Sequence, residues 1–161
     1  MLAVVKKVKD GYIATYKRQL NHSIGKVWAS LTENDKLEKW MSNLQVVDLQ
    51  KGGTIKFNFN DGSGNSFDIM IMDYKEHSYI QYEWGEGWVR FELYPKDDGC
   101  LLVLKEFIPT LSDHTSKDLA GWHACLDMFS NLLEGQFIDF PKDKWKTWYE
   151  NYQRVLQKVE S

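Results

Sequence analysis

The chain has 161 residues, with 20 lysines and arginines against 23 aspartates and glutamates and a net charge of −3. The basic residues are scattered rather than blocked, so a nucleic-acid surface is not expected, because phosphate contacts need a basic face. Aromatic residues make up 14% and apolar residues 43%, which calls for one large core or a cavity walled by rings.

The first apolar run, "LAVV", meets Lys6 and Lys7 at once. It is too short for a signal-peptide core or a membrane span. "GYIATYKRQL" (11–20) alternates and predicts a strand. "SIGKVWASL" then changes period, with Ile24, Val27, Trp28 and Leu31 on one helical face behind Ser23 as N-cap. "TEND" (32–35) opens a second short helix that buries Leu37 and Trp40.

From 45 to 107 the pattern is β. "LQVVDL", "GTIKFNFN", "SFDIMIMDY", "SYIQYEW", "WVRFELYP" and "CLLVLKEF" are separated by KGG, DGSGN, KEH, GEG and KDDG, each a turn cluster. Strands joined this closely pair antiparallel, since a parallel crossover needs a dozen or more residues. A helix follows from a cap at Thr115 or Ser116 to about Gly135, with Asp118 in its first turn. A last helix starts near Pro141. Its apolar stripe is Trp145, Trp148, Tyr149, Tyr152, Val155, Leu156 and Val159.

These elements predict an α+β fold: a curved seven-stranded antiparallel sheet, two short helices after its first strand, and a long helix covering its apolar face. A gap between sheet and helix would be the place for a small molecule.

The residues "R-x-L…VW-x-x-L" (Arg18, Leu20, Val27, Trp28, Leu31), Trp40 and "GG" at 52–53 recur in a known order. "YEW" (82–84), "VRFELYP" (89–95) and "GW-x-x-x-LD" (Gly121, Trp122, Leu126, Asp127) continue it. Over roughly residues 12 to 137 the chain resembles the homologue family of the heat-shock-protein-90 ATPase activator, in the START-like (SRPBCC, birch-pollen-allergen) superfamily. The resemblance implies a helix-grip fold with a cavity between sheet and helix, one START-like domain over 1–161, and an extra helical segment at 138–161 outside the usual pattern. Nor does the pattern include the other domain through which the eukaryotic co-chaperone binds its chaperone.

Within "GWHACLDMFSNLLEG" the helical period puts Leu119, Trp122, Leu126, Phe129, Leu133 and Phe137 on one stripe. His123 falls at the boundary with the polar face. Cys125 lies roughly 200° round from it, so the two form no thiolate–imidazole pair. Cys125 reads as a small buried hydrophobe. His123 and Asp127 lack a third metal ligand. The two cysteines, Cys100 and Cys125, make neither CxxC nor metal spacing, which suits a reduced, cytoplasmic protein. No metal or cofactor is expected.

Alternation groups Ile80, Tyr82 and Trp84, and separately Val89, Phe91 and Leu93. The resemblance turns Leu102, Leu104 and Glu106 toward the helix. An inward Glu106 needs a partner, for which Tyr82, Arg90 or Tyr16 are available, or a raised pKa.

The expected ligand-contacting set is Trp40, Phe57, Tyr82, Trp84, Phe91, Leu104, Glu106, Trp122, His123 and Leu126. The function expected is non-enzymatic binding of a small hydrophobic molecule, a lipid or aromatic compound, oriented by Glu106, His123 and the tyrosines. Modulation of a chaperone ATPase and a cyclase- or hydratase-type activity are the alternatives. The stripe from 145 to 159 either folds back on the domain or forms a homodimer surface. Membrane insertion is not expected.

Overall fold

Alternation between 4 and 20 produces a hairpin in the computed structural model, which describes residues 1–160. Strands β1 (Val4–Val8) and β2 (Gly11–Leu20) pair antiparallel through Val5↔Ala14. Two short helices follow, α1 (Ile24–Thr32) and α2 (Asn34–Trp40). The meander is β3 (Leu44–Val46), β4 (Thr54–Asn58), β5 (Ser66–Lys75), β6 (Tyr79–Trp84), β7 (Gly87–Lys96) and β8 (Gly99–Ile108). Helices α3 (Thr115–Leu133) and α4 (Lys142–Glu160) complete the chain.

The sheet has eight strands in the order β1-β2-β8-β7-β6-β5-β4-β3, one more than expected. The extra strand is β1. Only Ala3 and Val5 on that segment turn inward, at 4% and 7% exposure, while Val4 and Lys6 face solvent. So short an edge strand carries little alternation to read. The first and last long strands close on each other, with Tyr16 opposite Leu104 and Ala14 opposite Glu106.

Helix α1 starts as its sequence dictates, with Ser23 Oγ accepting from the Lys26 N–H at 3.2 Å. Helix α3 does not use its expected cap. His114 holds the cap position without a side-chain bond, and Thr115 Oγ1 accepts from the Ser112 N–H instead. The far end is closed by Gly135 at φ 78°, a left-handed position that glycine reaches without a Cβ penalty. Lys26 Nζ adds a 2.6 Å bond to the Leu133 carbonyl.

The stripe Leu119, Trp122, Leu126, Phe129 and Leu133 lies in the core, each residue at 4% exposure or less. Phe137, expected to extend it, falls past the helix end and is 64% exposed. Phe129→Ala should cost about 3–5 kcal/mol, as buried aromatic truncations do; urea unfolding measures it.

Helix α4 folds back. Tyr152 and Leu156 are buried, and Trp145, Trp148, Tyr149 and Val155 pack against the same core. Of the two readings of this stripe, folding back on the domain is the one the structure realises, because α3 leaves a second apolar side that α4 covers.

Candidate ligand site between the sheet and α3

Strand alternation directs Tyr82, Trp84, Phe91, Leu104 and Glu106 to the face covered by α3. From there the rings run in one connected path. Phe67 stacks on Phe57 at 5.0 Å between centroids, and Phe57 meets Trp84 at 6.0 Å. Trp84 touches Trp122 at 5.0 Å, and Trp122 touches Phe91 at 6.0 Å. Phe91 and Phe129 flank Trp40 at 6.2 and 4.9 Å. The Trp40 indole N–H is fixed on the Ser30 carbonyl at 2.8 Å. Tyr82 lies beside both Trp84 and Phe91, and Leu104 and Leu126 are fully enclosed.

The path begins at the surface. Phe59 and Phe67 are 44% and 48% exposed, and Phe57 and Trp84 are half-buried. Neither Phe59 nor Phe67 was among the expected residues. Their strand pattern was visible, but that the β4–β5 hairpin overhangs the end of the covered face is a property of the assembled sheet.

Glu106 sits on β8 between Ala14 and Val89 and is 7% exposed. Burial, with the negative charge of Asp118 adding to it, pushes its carboxyl up to about 8. The partner is Trp122, whose side-chain hydrogen bond favours the ionised form, and among the described residues Oε1 has no partner. The candidates Tyr82, Arg90 and Tyr16 do not fill that role. Arg90 lies on the opposite face, bonded to Glu92, Asp73 and Gln81, and the Tyr16 hydroxyl is spent on the Leu119 carbonyl at 2.9 Å.

His123 is apart from this group. It is 2% exposed, with Nδ1 2.7 Å from the Tyr152 hydroxyl and its ring 4.1 Å from that of Trp148. It faces α4, whereas Cys125 neighbours Tyr82 closely enough to raise its pKa. The angular separation read from the helix holds. The covering of His123 by α4 is what the period could not show.

Burial pushes the Cys125 thiol up to about 12 and raises Tyr82 as well. With Glu106 also protonated at neutral pH, the interior offers hydrogen bonds in an apolar setting and no ionised nucleophile.

Three grooves open elsewhere. One of about 680 Å³ lies on the outer face of the sheet, one of about 440 Å³ between α3 and α4, and one of about 250 Å³ beside His22 and Glu134. None of the three is lined by the ring path. Among the described residues no helix is long and apolar enough to cross a membrane.

No curated protein matches the chain. Among solved structures, a conserved protein of unknown function from Enterococcus faecalis, EF2215, superposes with a TM-score of 0.87 at 24% identity, covering 99% of this chain and 92% of that one. CalU16 from Micromonospora echinospora gives 0.75 at 16% identity, covering 99% and 96%. The Aha1 dimer from Colwellia psychrerythraea gives 0.64 at 20%, covering 76% and 96%. At these identities the likeness is one of fold, and it supports the helix-grip arrangement. The family described as Activator of Hsp90 ATPase homolog 1-like protein matches residues 21–134. The match spans α1 through α3, the elements that build the ring path, and the chain belongs to that family.

Proposed function

We propose that the protein binds a small, mostly apolar molecule carrying one hydrogen-bonding group, between α3 and the inner face of the sheet. The observation that carries this reading is Glu106. It is a carboxyl held neutral in an apolar interior, with a free oxygen beside the Trp122 indole. Leucine would pack there at less cost, since a buried polar group without a full set of partners is destabilising. A protonated carboxyl donates one hydrogen bond and accepts others, which suits a ligand hydroxyl or carbonyl. Entry is past Phe57, Phe67 and Trp84, the half-buried and exposed end of the ring path. Those rings close on one another, so a ligand enters by displacing Trp84 and Phe57 rather than by filling a standing void.

The experiment is native mass spectrometry and thermal shift against fatty-acid, sterol and flavonoid panels. A stabilising ligand should emerge, and Trp84→Ala should weaken it by about 0.5–1.5 kcal/mol, an aromatic pair's usual worth. Ligands that bind equally well to the Trp84→Ala and Glu106→Gln variants would refute the site. A cyclase- or hydratase-type activity would require Glu106→Gln to abolish turnover while affinity persists.

A second reading, contact with a chaperone ATPase, is favoured by the family's description and by the exposed Phe59 and Phe67 edges. It predicts a complex with an Hsp90-type chaperone and altered ATP turnover, and absence of binding at micromolar concentration removes it.

A further inference from the structure

The outer face of the sheet, turned away from α3, carries a groove of about 680 Å³. Its floor is apolar. Val103 is 4% exposed, and Leu101, Leu2 and Val4 extend it, with Tyr94 as a wall. A groove of this size lies within the range that holds drug-sized ligands.

Strand pairing places a cationic cluster at one side. Thr15 on β2 stands directly opposite Lys105 on β8 and Val4 on β1. Lys17 is two residues along β2 on the same face, and Lys6 is two along β1. Direct neighbours in such a lattice are about 5 Å apart and diagonal ones about 7–8 Å. Lys6 and Lys17 thus flank Thr15 from opposite directions along the strands, and all four side chains, Lys105 included, line the groove.

The acid present neutralises Lys105 but does not reach Lys6 or Lys17. Glu92 accepts from Arg90 at 2.6 Å, pairs with Lys105 at 3.0 Å and accepts from the Tyr94 hydroxyl at 2.9 Å. Among the described residues Lys6 and Lys17 make no ion pair. Apolar floor and unmatched positive charge therefore lie side by side.

We propose that this groove is a second ligand site, taking a small amphipathic monoanion. Its alkyl or aryl body lies on Val103, Leu101 and Leu2, and its carboxylate or sulfonate lies between Lys6, Lys17 and the Thr15 hydroxyl. The charge supplies orientation and the floor supplies affinity.

Decanoate and decanol serve as probes of the full chain, by titration calorimetry and amide NMR. Decanoate should bind more tightly than decanol, weaken as salt screens the lysines, and shift amides of β1, β2 and β8. Lys6→Glu with Lys17→Glu, both exposed positions, should lower decanoate affinity by about tenfold or more, a loss of about 1.4 kcal/mol. The same charge change on α4, Lys142→Glu with Lys146→Glu, should leave it unaltered. The proposal is overturned by decanol binding equally well, by no decanoate binding at millimolar concentration, or by shifts confined to the Trp84 and Trp122 indoles. Binding only of an acidic peptide overturns it as well.

Discussion

Glu106→Gln is expected to flatten the pH dependence of stability between pH 4.5 and 8. The folded-state pKa is raised from 4.5 to about 8 by burial, with Asp118 adding to it. The folded protein therefore holds a proton through a window in which the unfolded chain has lost it. Stability is full below 4.5 and falls as pH rises toward 8. A displacement of that size corresponds to about 5 kcal/mol, and the group is buried enough that solvent screening removes little of it. Glutamine keeps the shape and an acceptor for Trp122 but does not titrate. Urea midpoints of the two proteins, followed from pH 5 to pH 9, should diverge, with the wild type the weaker above pH 8. Parallel curves would show that Glu106 is solvated, and with that the argument for an orienting carboxyl would fall. Ligand affinity carries the same signature: a ligand that accepts the Glu106 proton should be released as the carboxyl ionises. A stability cost of this kind at a core position is where local sequence logic is expected to fail for the sake of function.

Period and turn chemistry carried most of the architecture, and the reasons for the exceptions are physical. The stripe Leu119, Trp122, Leu126, Phe129 and Leu133 was legible because helical geometry needs no partner to define a face. The six-strand meander was legible because its turns are dense in glycine and charge. Strand β1 was not, since a five-residue edge strand with two exposed lysines and only one buried residue hardly differs from an extended tail. Within the candidate site, the inward direction of Glu106 followed from the family resemblance and strand alternation, but Trp122 as its partner did not. That contact joins residues from a strand and a helix whose axial offset is set by the packing of the whole stripe. His123 shows the same limit. Its angle on α3 was right, and the element covering it begins beyond Pro141, so no local pattern connects the two.

That covering predicts the opposite pH response at the other end of the scale. His123 lies among Tyr16, Arg18, Trp148, Tyr152 and the chain's N-terminal ammonium. Burial, with the positive charges of Arg18 and the terminus adding to it, pushes its pKa down from 6.5 to about 4. The unfolded chain binds the proton first as pH falls, so this contribution is complete above pH 6.5 and is lost on descending toward pH 4. Its size is of order 3 kcal/mol. The neutral ring accepts at Nδ1 from the Tyr152 hydroxyl, and that hydroxyl in turn accepts from the Ala3 N–H at 2.9 Å. One phenol thus ties α4 both to α3 and to the residue that leads into β1. Tyr152→Phe keeps the ring packing and strands two buried partners, at about 1–3 kcal/mol for each. His123→Phe should instead remove the acid sensitivity while retaining the stack on Trp148. Urea unfolding at pH 7 and pH 5 separates the cases. Tyr152→Phe should be weaker at both, and because Glu106 gains stability over the same interval, the step from pH 7 to pH 5 should be less favourable in the wild type than in His123→Phe. Hydrogen exchange gives the spatial reading: in Tyr152→Phe the α4 amides should exchange before those of β7 and β8, since α4 is held to the rest through this contact, Leu156 and the Trp148 stack. Simultaneous loss of protection across helix and sheet would mean that α4 is part of the global core rather than a brace fastened onto it.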